Sequence, residues 1–177
     1  MPEKALLLDR DGVVNLDHGY VCSVERFTFV DGIFALARRA VDRGYRVVVV
    51  TNQSGIARGF YDEAEFRALT AWMAGAFEAQ GVALAGVFHC PCHRDGTVAR
   101  YSRDSFWRKP APGMILEAQR RLGLDLGRSL FVGDQPTDMA AARAAGIPAR
   151  VLLAPPGTPP GDATRVVTRL DEVEALL

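Results

Sequence analysis

Cysteine is scarce and odd in number: Cys22, Cys90 and Cys92 are all the chain has. Such a set makes no disulfide framework and fits a reduced, cytoplasmic protein. Neither sign of charge is in excess, since Lys and Arg total 21 and Asp and Glu total 21. Binding driven by neutralising nucleic-acid phosphates needs a basic surplus, and so does attraction to an anionic membrane surface; both are excluded as expectations. Long apolar runs are missing too. None approaches the ~20 residues needed to span a bilayer. The opening Met1-Pro2-Glu3-Lys4 leads into a short apolar run without a signal-peptide cleavage pattern. No internal repeat or low-complexity stretch interrupts the chain. What is there is the balance of a globular protein: 177 residues, 49% hydrophobic and 24% charged. A chain of this length can bury roughly 70% of its unfolded surface, so a single domain over 1–177 is expected to fold without a staple.

Short β-rich runs alternate with helical patterns. Ala5-Leu6-Leu7-Leu8 ends at Asp9, Val47 to Val50 ends at Thr51-Asn52, Leu84 to Phe88 forms a third run, Leu130 to Val132 ends at Gly133-Asp134, and Ala149 to Leu153 forms a fifth. Between them lie helical periodicities at about 32–43, 63–80, 112–122 and 137–145, with Gly44, Gly81, Gly123 and Gly146 as stops. Asp62 and Glu65 have capping-box spacing, and Pro112 suits a first helical turn. A last short strand and helix occupy 165–177. Strands that are continuous apolar runs are buried on both faces. The fold class expected is therefore α/β: a three-layer, Rossmann-like, open and mostly parallel sheet with helices on both faces. The segments 10–31 and 89–111 are long for connections, yet too short for a separate cap domain.

The polar residues fall where such a sheet binds ligands. In an open parallel sheet the C-terminal strand ends share one edge, so positions 9, 51 and 134 can converge. Asp9 and Asp11, two apart on extended chain, point the same way. With Asp134 they crowd three carboxylates, and each like-charge pair costs up to about 4 kcal/mol at about 4 Å and an effective dielectric near 20. A proton or a hard cation such as Mg²⁺ relieves this. Taken singly the same residues have plainer readings. Asp9 and Asp11 suit a turn before Gly12, Thr51 and Asn52 suit a helix cap or a phosphate cradle, and Lys109 in Arg108-Lys109-Pro110 reads as a surface lysine or as an anion's counter-charge.

Together the motifs resemble the haloacid dehalogenase superfamily of phosphotransferases: Leu6-Leu7-Leu8-Asp9-Arg10-Asp11-Gly12-Val13, the strand ending in Thr51, Lys109 before a helix, and Gly133-Asp134 followed by Asp138. Within it, Asp9 to Asn15, Gly19-Tyr20, Thr51 to Gly59, Arg108-Lys109-Pro110 and Pro112-Gly113-Met114 resemble the D-glycero-D-manno-heptose 1,7-bisphosphate 7-phosphatase family, whose histidinol-phosphatase relatives share most of them. The resemblance implies a Mg²⁺-dependent phosphatase of lipopolysaccharide-core or nucleotide-heptose precursor synthesis. In it Asp9 is the nucleophile that becomes an aspartyl-phosphate, and Asp11 the acid and base. Thr51 and Lys109 hold the phosphoryl group. Mg²⁺ is held by Asp9, Asp134 and the backbone carbonyl of Asp11. Asp17, His18, Gly19, Tyr20, Asn52, Gln53, Ser54 and Arg108 contact the sugar. The implied partner is a small phosphorylated sugar and the implied state a monomer.

One departure stands out. Many members carry a zinc loop reading Cys-x-His and then Cys-x-Cys; the matching positions here are Cys90, Cys92, Ser105 and Trp107. A closed zinc site wants four ligands. With His89 and His93 as crowded neighbours, Cys90 and Cys92 are not expected to bind zinc, and the loop is expected to be held by Phe106 and Trp107 packing into its interior. A histidinol-phosphate or other sugar-phosphate phosphatase is the nearest alternative. A receiver-like phospho-aspartate module places its acceptor at the end of the third strand, where this chain has His89-Cys90. No phosphate-binding Gly-x-x-x-x-Gly-Lys loop is present, because Val87 follows Gly81 and Gly86.

Overall fold

A computed structural model describes residues 2–177. Six parallel strands form one sheet in the order β3-β2-β1-β4-β5-β6. They are β1 (Ala5–Leu8), β2 (Arg46–Asn52), β3 (Leu84–Cys90), β4 (Leu130–Gly133), β5 (Ala149–Leu153) and β6 (Arg165–Val167). The helices are α1 (Ile33–Asp42), α2 (Ser54–Ala57), α3 (Glu63–Ala79), α4 (Gly113–Leu122), α5 (Pro136–Ala144) and α6 (Asp171–Glu174). Strand order reverses at β1, which lies between β2 and β4; this is where a doubly wound sheet opens a crevice.

The alternation of the strands builds two cores. Leu6, Leu8, Val47, Val49 and Val132 face a layer containing Ile33, Leu36, Leu69, Met73, Phe77 and Val173, from α1, α3 and α6. Leu7, Val48, Val50 and Phe131 face the opposite layer, with Met114, Ile115, Ala118, Met139 and Ala142 from α4 and α5. All four β1 residues are fully buried, which is why the run is apolar throughout and does not alternate. Truncating a core ring such as Phe131 to Ala removes about 3–5 kcal/mol. The capping box closes α3 as its spacing predicts: the Asp62 carboxylate accepts from the backbone of Ala64 and Glu65 at 2.8 and 2.9 Å, and Glu65 accepts from Asp62 N at 2.8 Å. No helix among the described residues is long and apolar enough to cross a membrane.

The two long segments are built differently. In 10–31, backbone amides of Val14 and Asn15 return to the Arg10 carbonyl, Leu16 N donates to Thr28 O, and Val30 N donates to Val14 O. Val13, Val14, Val21 and Phe27 bury themselves in the α1/α3 layer. The second segment starts inside a strand, since β3 runs on to Cys90. Cys90, Cys92 and Tyr101 are buried, and the amides of Thr97 and Val98 both donate to Ala57 O. The aromatic packing expected there is corrected: Phe106 is 62% exposed and Trp107 36%. Tyr101 fills the interior instead, because its hydroxyl reaches Glu63 Oε1 of α3 at 3.2 Å and its backbone carbonyl accepts from His93 N.

Candidate active site

β1 stops at Leu8, but Asp9 N still donates to Val132 O at 3.0 Å, so Asp9 stands one residue beyond the strand at the switch in strand order. Its Oδ1 accepts from Arg10 N and from Lys109 Nζ, each at 2.8 Å. Lys109 arrives from a cis Lys109–Pro110 bond and is held through its backbone. Asn52, the last residue of β2, donates to Lys109 O and accepts from Lys109 N at 3.1 and 3.0 Å. The ammonium also reaches Asp138 Oδ1 at 2.6 Å and Val50 O at 2.9 Å. Lys109 is thus a buried lysine, only 3% exposed, and not a surface one.

From sequence, Asp138 has no role beyond its place in a motif. The structure makes it the rear wall of the site. It lies in the first turn of α5, and its Oδ2 accepts from the backbone of Asp134 and Gln135 at 3.2 and 3.0 Å. The signal that could have found it is the spacing Gly133-Asp134-x-x-x-Asp138, which returns the second acid to the helix start. Bare backbone makes the approach possible: a Cβ on Gly133 would lie 2.4 Å from Asp138 Cβ, and one on Gly12, at φ +94°, would lie 2.3 Å from Asp134 Oδ2.

Carboxylate oxygens of Asp9, Asp134 and Asp138 all lie within 4.8 Å of one another. Three carboxylates against one ammonium leave two negative charges uncompensated. Burial, and then the charge of Asp138, hold the Asp9 carboxyl well above its ordinary range in spite of Lys109. Burial raises Asp134 in the same way. Burial alone would lower Lys109, but Asp138 and Asp9 overcome it and keep the ammonium protonated. Asp134 Oδ1 is buried and has no hydrogen-bond partner, while its Oδ2 accepts from Gln135 Nε2 at 2.9 Å. An orphaned carboxylate oxygen beside two further acids, all hard donors, fits a divalent cation of the Mg²⁺ class.

The Asp11 carboxylate turns away from this cluster. It accepts from Arg10 Nη2 at 2.9 and 3.0 Å, from Asn15 Nδ2 at 3.0 Å and from Gln53 Nε2 at 3.0 Å. Asp11 therefore enters the metal expectation through its backbone carbonyl alone, and Asp138 replaces its side chain in the acid cluster. Arg10 escaped the sequence reading: 1% exposed, it also donates to Val21 O at 2.6 Å. Nothing in an Asp-Arg-Asp string says that the arginine points inward.

Asp9, Asp11, Asp17, Gly19, Tyr20, Asn52, Gln53, Ser54, Arg108 and Lys109 all line one open cavity of about 300 Å³, together with Tyr61, Asp134, Gln135, Thr137 and Asp138. His18 and Thr51 do not line it. The His18 backbone is tied by Arg26 at 2.8 Å in an exposed turn, and Thr51 is buried beneath Gln53, whose Nε2 donates to its hydroxyl at 2.8 Å. Cys90 and Cys92 join no third metal-ligating side chain among the described residues. Burial raises the Cys90 thiol. His89 instead meets Glu63 at 3.0 Å, and His93 Nε2 lies 3.5 Å from Arg58 Nη2.

Comparison with known proteins bears on this geometry. A family model described as HAD-hydrolase-like matches residues 106–172. The chain is 47% identical over 173 residues, 98% of its length and 89% of the other's, to a D-glycero-alpha-D-manno-heptose-1,7-bisphosphate 7-phosphatase of Burkholderia mallei. It is 48% identical over 149 residues, 84% of its length and 79% of the other's, to a D-glycero-beta-D-manno-heptose-1,7-bisphosphate 7-phosphatase of Yersinia pestis. Among solved structures, D,D-heptose 1,7-bisphosphate phosphatase from B. bronchiseptica, complexed with magnesium and phosphate, superposes with a TM-score of 0.82 at 35% identity, covering 98% of this chain and 97% of that one.

Proposed function

The chain belongs to the heptose-1,7-bisphosphate 7-phosphatase family of haloacid-dehalogenase-like hydrolases, and on that premise we propose that it removes the 7-phosphate of D-glycero-D-manno-heptose 1,7-bisphosphate through an aspartyl-phosphate on Asp9. The observation that carries the reading is the Asp9–Lys109–Asp138 chain on the cavity floor beside the orphaned oxygen of Asp134. Receiver-like chemistry would centre on the end of β3, and the acids gather instead past β1 and β4.

Each residue has a task that its geometry permits. Asp9, held by Lys109 and Arg10 N, presents a carboxylate in a fixed direction to an incoming phosphorus. Lys109 places a permanent positive charge where equatorial phosphoryl oxygens gather. Asp11 lines the cavity and is positioned to give a proton to the departing sugar oxygen and later to take one from water. Mg²⁺, held by Asp9 and Asp134 with Asp138 behind them, would supply the charge that offsets repulsion between a carboxylate and a phosphate dianion.

A bisphosphate needs a second counter-charge, and Arg108 offers one. Its guanidinium pairs with no carboxylate among the described residues and makes only a long 3.4 Å bond to Cys92 O. It lines both the catalytic cavity and the adjoining hollow bounded by His93, Arg94 and Ser105. The three unpaired cysteines support a cytoplasmic setting.

The test is a substrate panel: α- and β-heptose bisphosphate, histidinol phosphate and common hexose phosphates, with and without EDTA. The expected result is highest kcat/KM on a heptose bisphosphate and no turnover in EDTA, restored by Mg²⁺. A preference for histidinol phosphate, or full activity in EDTA, would overturn the reading.

A further inference from the structure

We propose that Gln53 and Tyr61 act as a positioning pair that sets the hydrogen-bond directions of Asp11 and Thr51. The inference rests on the phosphatase reading above. Gln53 is 2% exposed and Tyr61 5%. The Gln53 amide spends both its protons inside the protein, one on Asp11 Oδ2 at 3.0 Å and one on Thr51 Oγ1 at 2.8 Å. Its Oε1 accepts from the Tyr61 hydroxyl. Only one orientation of the amide works, because turning it over would set Oε1 against the Asp11 carboxylate, acceptor against acceptor. Gln53 therefore lines the cavity yet has no proton left for a sugar hydroxyl.

The consequence for Thr51 is directional. Because its oxygen accepts from Gln53, its own proton must point elsewhere, and it reaches Asn52 O only at 3.5 Å, a weak bond that another acceptor can replace. The hydroxyl, buried off the cavity wall, is thereby oriented as a donor and not as an acceptor. For Asp11 the consequence is a fixed plane. Arg10 and Asn15 hold the carboxylate from one side and Gln53 from the other.

An independent feature shows that Tyr61 is built into place. A Cβ on Gly55 would lie 2.2 Å from Tyr61 Cε1, so the ring packs directly on the bare backbone of α2. Gln53 N is itself pinned to Cys90 O at 2.8 Å. Burial raises the Tyr61 phenol, so it remains a donor across the working pH range. Tyr61 acts through Gln53, the residue to which its hydroxyl donates.

A double-mutant cycle tests the pair. Tyr61→Phe keeps the ring on Gly55 and removes only the hydroxyl. Its expected effect is a fall in kcat of about tenfold with KM within about twofold and a melting temperature only a few degrees lower, since the buried Gln53 carbonyl loses its donor. Gln53→Met removes both donors, with an expected loss of about a hundredfold. In the Gln53→Met background, Tyr61→Phe should cost nothing further. Losses that multiply, an unchanged kcat in Tyr61→Phe, or an effect confined to KM would each overturn the proposal. The cycle is measured with whichever phosphomonoester the wild type turns over best, so inactivity towards the heptose alone counts against the substrate reading and not against the pair.

Discussion

The acid cluster past β1 and β4 lines the catalytic cavity, the loop from 91 to 107 lines the hollow that adjoins it at Arg108, and the two are made by opposite means. In the cluster, Lys109 and Asp138 are almost wholly buried, Lys109 pairs with both Asp9 and Asp138, and the ends of β1 and β4 place Asp9 and Asp134. In the loop, the Phe106 ring lies largely in solvent and the Trp107 ring partly so, Arg94 and Asp104 form an exposed pair, and the backbone is tied mainly to Ala57 and Tyr101. Exposed pairs of this kind contribute about 0–1 kcal/mol. The difference teaches that the acid cluster is fixed by the buried framework around it, whereas the loop can vary without unsettling the core.

If that contrast holds, the largest effects come from the cluster. Asp9→Asn should lower kcat at least about a thousandfold while leaving the circular-dichroism spectrum unchanged; near-normal turnover would remove Asp9 as nucleophile. Lys109→Ala strips the only cation that pairs with Asp9 and Asp138 among the described residues. It should cost about 3–5 kcal/mol in denaturant unfolding as well as activity.

Asp134→Asn should divide stability from function. Asp134 is raised by burial in the folded protein, so the folded state holds its proton more tightly than the unfolded one. Its contribution is favourable below the ordinary carboxylate pKa and is lost as pH rises through the raised value. In EDTA, the variant should therefore melt a few degrees above wild type at pH 7, and the gain should vanish near pH 3; activity should be abolished. A variant melting below wild type at pH 7 would show that the buried carboxylate is already compensated.

The smallest effect belongs to the loop. Phe106→Ser should shift stability by no more than about 0.5 kcal/mol, because its ring is 62% exposed, and Trp107→Ser, whose ring is 36% exposed, by somewhat more. Their effect, if the loop shapes sugar selection, appears as a changed ratio of kcat/KM between the α- and β-bisphosphates. A large loss of stability would mean that the rings brace the loop after all.

The same contrast explains what could be read in advance. β1 and β5 match their apolar runs residue for residue, and α3 follows its capping box, because continuous burial and local capping leave direct marks in a sequence. The convergence of positions 9, 51 and 134 was legible once the sheet was parallel, since one edge must then collect the strand ends, whereas Lys109, on a connection, enters only through the family resemblance. The inward turn of Arg10, the Gln53–Tyr61 bond and the rear placement of Asp138 were not. A polar side chain is buried by its partners, and those lie up to dozens of residues away. The exposure of Phe106 and Trp107 escaped for a related reason: in a segment without periodicity, ring size does not tell which way a residue faces.

Gly12 carries a last consequence. Its missing methyl is the clearance in which an oxygen of Asp134 now lies. Alanine there would be a plug delivered by the backbone itself, at a dihedral angle that side chains resist. Attempts to retune this protein for other phosphate esters have freedom in the flanking loops and none at this bend, where the smallest possible addition would evict a carboxylate from its seat.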